Sequence, residues 1–137
     1  MALTHLVDSS VLTRLGREPI RQAVEPRAEL GELARATISD LEIGFSARDA
    51  KEWDRLVGAL EILTAIETTA EHVRRARQVQ RLLAAKHQRG RKVPDLLIAA
   101  AAETSDLAVL HYDADFDLIA KVTGQVCEWV VPAGSVD

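Results

Sequence analysis

The chain of 137 residues carries a single cysteine, Cys127, so no disulfide framework can form within it. That usage suits a reducing cytoplasm. Aromatic residues make up only 4% of the sequence, which leaves the core to aliphatic side chains. No apolar run approaches the roughly 20 residues needed to cross a bilayer. The opening "LTHLVDSS" has no basic stretch followed by a long apolar segment, so no signal peptide is expected and the location is read as cytoplasmic. No glycine-rich run precedes a helical pattern, which excludes a phosphate-cradling loop. The last absence is local: from His72 to Pro94 there is no Asp or Glu at all.

What fills that gap is positive charge. Eight Lys/Arg fall there (Arg74, Arg75, Arg77, Arg81, Lys86, Arg89, Arg91 and Lys92), in a chain whose net charge is −4. For a polyanion the local strip matters more than the total. Such a strip is also what an ordinary solvated helix face looks like.

The length fits one domain over residues 1–137, large enough to bury roughly two-thirds of its unfolded surface. Short apolar runs alternate with helical patterns. Strands are expected at 3–7, 36–38, 64–66, over "LAVLHY" and over "QVCEWVV". Helices are expected from Ser39, over 49–63, from Thr69 with Val73, Ala76, Val79, Leu82 and Leu83 inward, over "PDLLIAAAAETSD", and within "DADFDLIAKV". Phe45, Trp53 and Trp129 read as core residues. Strands alternating with helices predict an α/β fold with a mainly parallel central sheet flanked by helices. In such folds the working site lies beyond the carboxyl ends of the strands.

Four acids fall where that edge should be. Asp8 follows the first strand and Asp113 the fourth, Glu42 lies one helical turn beyond the second, and Asp95 opens the apolar helix "LLIAAAA". Each has a structural explanation. Asp95 after Pro94 reads as a helix cap, and Ser39-Asp-Leu-Glu42 has the form of a capping box. Together, though, four crowded carboxylates raise one another's pKa or require a cation. Oxygen ligands without a Cys/His cluster specify Mg²⁺ or Mn²⁺. Beside a basic strip, that chemistry suggests metal-assisted phosphodiester hydrolysis.

Rival motifs fail. "DADFDL" begins like an EF-hand loop, but Leu118 stands where Gly is needed and Gly124 where Glu is needed. His5, His72, His87 and His111 have no metal-ligand spacing and read as surface or packing residues.

The stretches "LVDSSVL", "TISDLEIGFSA", "VPDLLIAAAA" and "VLHYDADFDLIA" occur in the order and spacing of the PIN-domain family, which the chain resembles over nearly its whole length. The likeness is greatest to the VapC-type toxins of toxin–antitoxin pairs. It implies a PIN-like three-layer fold and a Mg²⁺- or Mn²⁺-dependent endoribonuclease. It also implies a homodimer silenced by a small VapB-like antitoxin. By position, the metal-binding and catalytic quartet is Asp8, Glu42, Asp95 and Asp113, with Asp115 as a fifth acid and Ser9 as a supporting hydroxyl. A Thr often stands two residues before the fourth acid; here that residue is His111, which could instead meet metal-bound water or RNA. Arg74, Arg77, Arg81, Arg89, Arg91 and Lys92 are then expected to bind RNA phosphates or the antitoxin. Two alternatives are a catalytically inactive PIN-like RNA- or protein-binding module, which needs none of the acids, and a phosphoacceptor domain. The second would want an acidic pair after the first strand, and "VDSS" supplies one acid.

Overall fold

The computed structural model describes residues 2–88 and 90–137. In chain order it comprises β1 (His5–Val7), α1 (Ser9–Leu12), α2 (Glu18–Glu29), β2 (Leu33–Ala36), α3 (Thr37–Gly44) and α4 (Ala50–Gly58). A 3₁₀ turn (Ala59–Ile62), β3 (Thr64–Ile66), α5 (Ala70–Ala85), α6 (Val93–Thr104), β4 (Ala108–His111), α7 (Asp115–Thr123) and β5 (Cys127–Trp129) follow. The five strands form one sheet in the order β3-β2-β1-β4-β5, every neighbouring pair parallel.

The strands are short, and the three central ones, β2, β1 and β4, are buried on both faces as parallel strands flanked by helices are, while the edge strands β3 and β5 are partly exposed. Side chains alternate across them. Leu6, Ala34 and Val109 enter a core shared with α5, α6 and α7, whereas Val7, Leu33 and Leu110 enter a second core with α1, α2 and the 3₁₀ turn. The run Ala99–Ala102 of α6 is fully buried in the first core. Small side chains there let the helix backbone lie close under the sheet, which fixes where its first turn emerges.

Several expectations need correction. The second strand is Leu33–Ala36 rather than 36–38; Thr37 and Ile38 already belong to α3. Arg35 disguised it, because a charged residue inside a buried strand is legible only through its partners. Its guanidinium grips Asp40 (Nε–Oδ1 2.8 Å, Nη2–Oδ2 3.2 Å) and the carbonyls of Leu60 and Leu63 (3.1 and 2.6 Å). Helix α2 was not expected at all. Pro19 in its first turn favours a start, but Pro26 lies inside it and only Ile20 and Val24 are buried. Phe45 and Trp53 are not core residues: they are 90% and 42% exposed, and Trp129 is half-buried. Trp53 instead lies against Gly44, where any Cβ would meet its indole ring, so α3 and α4 close on each other through a residue without a side chain. On α5, Val73 and Leu82 are largely exposed, while His72 turns inward and completes a capping box with Thr69.

Candidate active site

The strand order reverses between β1 and β4, the two central strands: β2 and β3 extend from one side of β1, and β5 lies beyond β4. At such a switch point the flanking connections part and leave a crevice at the carboxyl edge. Asp8 follows β1 directly, and Asp113 comes two residues after β4.

Asp8 is buried and caps α1, its Oδ2 accepting from the Ser10 amide at 2.9 Å. Its Oδ1 has no hydrogen-bond partner. Burial, the larger influence, and the nearby Glu42 push the Asp8 pKa up, against the Ser10 contacts. Ser9 Oγ donates to Glu42 Oε1 at 2.6 Å and lies 2.9 Å from Ser39 Oγ. The capping box expected over Ser39–Glu42 is therefore not formed. Helix α3 begins two residues earlier, at Thr37, which frees the Glu42 carboxylate to face Ser9 across the crevice.

Asp95 also departs from its expected part. The cap position of α6 is Lys92, with no side-chain cap, and Asp95 is the third helical residue. The residue is only 4% exposed, and Oδ2 has no hydrogen-bond partner. Burial first, then the charges of Asp8, Asp113 and Asp115, push its pKa up to about 8, although Lys92 pulls the other way.

The outer carboxylates are tied. Asp113 accepts from the Asp115 amide (2.9 Å) and from Lys92 Nζ (2.8 Å). Burial works upward on Asp113, but the Lys92 ammonium and the Asp115 amide together hold its pKa below the ordinary carboxylate value. Asp115 pairs with Arg91 at 2.8 Å. Oxygens of Asp95, Asp113 and Asp115 lie within 4.8 Å of one another.

His111 does not reach solvent. It is completely buried between the rings of Phe116 and Trp129, centroids 5.0 and 4.9 Å away. Burial lowers its pKa, and its Nδ1 accepts from the Asp113 amide at 3.2 Å. The neutral ring thus anchors the backbone that presents Asp113.

The basic strip divides. Arg74, Arg77, Arg81 and Arg91 line a groove of about 760 Å³ between α5 and the start of α6. Arg75 points elsewhere and grips Glu103 at 2.6 Å. Arg91 and Lys92, expected to face RNA or a partner, fold back onto Asp115 and Asp113, and Arg91 links the groove it lines to the acids. Arg89 lies outside the described residues. Sequence reasoning missed Ser10, two residues after Asp8, whose Oγ accepts from the Tyr112 amide at 2.8 Å, and it gave Ser39 a capping part where the structure sets its Oγ 2.9 Å from Ser9 Oγ.

An acidic pocket with buried, undonated carboxylate oxygens can hold a hard divalent cation. Among the described residues no helix is long and apolar enough to cross a membrane.

Comparison with known proteins agrees in fold and sequence. The chain is 63% identical over 137 residues to Ribonuclease VapC51 of Mycobacterium tuberculosis, covering 100% of both chains. It is 41% identical over 141 residues to Ribonuclease VapC21 of the same species, covering 98% of this chain and 99% of the other. The DNA-bound VapBC structure from Salmonella typhimurium superposes with a TM-score of 0.75 at 17% identity, over 94% of this chain and 99% of that one. The sequence pattern of the PIN domain matches residues 5–122, from β1 to the last turn of α7, and the chain belongs to the PIN domain family.

Proposed function

We propose that the chain is a single-domain, metal-dependent ribonuclease, the toxin of a toxin–antitoxin pair, acting in the cytoplasm. The observation that carries this reading is that two buried carboxylate oxygens, Asp8 Oδ1 and Asp95 Oδ2, have no hydrogen-bond partner, and that Asp95 clusters with Asp113 and Asp115. Leaving such groups unpaired in the interior is costly unless a cation completes them. The ribonuclease relative with 63% identity over the full length supports the same conclusion.

Asp8, Glu42, Asp95 and Asp113 are the proposed ligand and catalytic set, with Asp115 at its rim, and Mg²⁺ or Mn²⁺ is the cation that an all-oxygen donor set favours. When bound, such an ion stabilises charge building on the phosphodiester oxygens and acidifies a coordinated water. The chain's own residues do the rest. Ser9 fixes the Glu42 carboxylate through a 2.6 Å hydrogen bond. Burial and the neighbouring acids push the Asp95 pKa up to about 8, so cation binding at Asp95 would be coupled to pH. Asp113, whose pKa lies below the ordinary carboxylate value, can accept a hydrogen bond from an attacking water. Arg74, Arg77 and Arg81 hold backbone phosphates along the groove, which gives salt-sensitive affinity with little base reading. A small VapB-like antitoxin and a second copy of the chain are the expected partners.

The test is cleavage of cellular RNA by the purified protein. Cleavage with Mg²⁺ or Mn²⁺ is expected, with loss in EDTA and in Glu42→Gln. Undiminished cleavage in EDTA would overturn the reading.

A further inference from the structure

Lys92 occupies an unusual place for a residue of a basic strip. Its backbone carbonyl starts α6, accepting from the amides of Asp95 and Leu96 at 3.1 and 3.3 Å. Its ammonium turns inward and sits 2.8 Å from Asp113 Oδ2 and 3.8 Å from Asp95 Oδ2. Those are two of the three carboxylates whose oxygens cluster within 4.8 Å. The ammonium thus rests on the same oxygens that a divalent cation would take.

The neighbouring cation behaves differently. Arg91 holds Asp115 with a side chain only 23% exposed, whereas the Lys92 side chain is 63% exposed. An ammonium on a flexible, solvated stem can leave at little cost, and an enclosed guanidinium cannot. Lys92 also leaves the deepest oxygens, Asp8 Oδ1 and Asp95 Oδ2, without a hydrogen bond. It bonds Asp113 closely and reaches Asp95 only at ion-pair distance.

We infer that Lys92 is a tethered counter-ion: in the metal-free protein its ammonium covers Asp113 and Asp95, and a divalent cation displaces it toward the arginine-lined groove, where it grips a phosphate next to the reacting one. This deepens the ribonuclease reading and rests on it. A divalent ion and an ammonium cannot share Asp113 Oδ2 without strong repulsion, so loading and release are linked. Lys92 follows Arg91, which lines the groove with Arg74, Arg77 and Arg81, so a released ammonium extends that positive track toward the acids. The protein would then bind the substrate backbone close to the site only after the cation is in place.

Two measurements test this. Calorimetric titration of metal-stripped protein with Mn²⁺ at low salt should show Lys92→Gln binding about two- to fivefold more tightly than the parent, the worth of one exposed ion pair. Lys92→Arg should keep the parental value. Equal or weaker binding by Lys92→Gln would overturn the proposal and make Lys92 a strap for Asp113. The second measurement is the salt dependence of binding to single-stranded DNA, used as an uncleaved phosphate polymer. With Mn²⁺ present, Lys92→Gln should reduce the log–log slope by about 0.7, one phosphate contact; in EDTA it should leave the slope unchanged. A change of the same size in both conditions, or in neither, contradicts displacement. A parent protein that binds Mn²⁺ yet leaves RNA uncut would fail the ribonuclease reading while both arms stay readable.

Discussion

Asp95 and Asp113 belong to one cluster at one edge of the sheet, yet their surroundings drive them in opposite directions. Asp95 is buried on α6 with an undonated oxygen, and its pKa rises to about 8. Asp113 sits on the loop after β4, held by Lys92 and by the Asp115 amide, and its pKa falls. Asp8 shares the fate of Asp95, and Asp115, paired with Arg91, shares the company of Asp113. The inner pair has oxygens without a hydrogen-bond donor, and Lys92 reaches only Asp95 of it, at 3.8 Å. The outer pair is held by closer contacts of 2.8 Å from Lys92 and Arg91. Groups of one type and one location acquire separate chemical parts from burial and from their neighbours.

The strongest way to break this contrast is substitution on its two sides. Asp8→Asn and Asp95→Asn are expected to lower RNA cleavage by about a hundredfold or more, the usual scale for removing an acid–base or charge-stabilising group. Asp115→Asn should cost clearly less, because that carboxylate mainly anchors Arg91. Comparable losses at all three positions would dissolve the distinction. In melting experiments above about pH 8 the metal-free Asp95→Asn protein should be at least as stable as the parent, since the side chain makes no cap bond and a buried like charge is removed there.

The pH dependence of metal-free stability should sharpen it further. A carboxyl whose folded pKa is raised stabilises the fold while protonated, and that contribution is lost as pH rises through its folded value. Asp95 should therefore make the metal-free protein less stable between ordinary carboxylate pH and about pH 8. Asp8 adds to the same trend. Asp113 has a lowered pKa, so its contribution is present above the unfolded value and is lost as pH falls through the folded one. Melting temperatures across pH should show Asp95→Asn flattening the alkaline side and Asp113→Asn flattening the acidic side. An unchanged alkaline side in Asp95→Asn would refute the assignment.

The smallest effects concern the arginines of α5. Arg77 lines the groove, and Arg77→Gln should reduce the salt slope of RNA binding by about one phosphate contact. Arg75 is committed to Glu103, so Arg75→Gln should leave that slope alone and lower stability by about 1 kcal/mol or less. Equal slopes for the two variants would return the groove to an ordinary solvated surface.

Much of this was legible in the sequence because strand and acid stand next to each other in it. "THLVD" and "VLHYD" place Asp8 and Asp113 at the carboxyl edge as soon as the strands are parallel, and "LLIAAAA" can only be a buried helix, which fixes Asp95 near its start. The illegible parts depend on partners distant in the chain. Arg35 inside β2 makes sense only with Asp40 and the carbonyls of Leu60 and Leu63 beside it. Local pattern assigned Asp95 and Ser39 to caps, while the structure starts both helices earlier and turns Asp95 and Glu42 into the crevice. Phe45 and Trp53 looked like core because aromatic residues usually are, and no periodicity revealed that α3 and α4 leave them outside. The inward fold of Arg91 and Lys92 was hidden for the same reason: a charge run does not say which of its members the fold spends on its own acids.

The central claim is that the inner carboxylates complete a divalent site, and the most direct measurement is thermal melting of metal-stripped protein titrated with Mn²⁺. At a hundred times the dissociation constant, binding to the folded state adds ~2.7 kcal/mol and should raise the melting temperature of the parent by several degrees. The same titration of Asp95→Asn should give little or no rise. A parent protein whose melting temperature ignores Mn²⁺, or an Asp95→Asn protein that gains as much as the parent, would contradict the account.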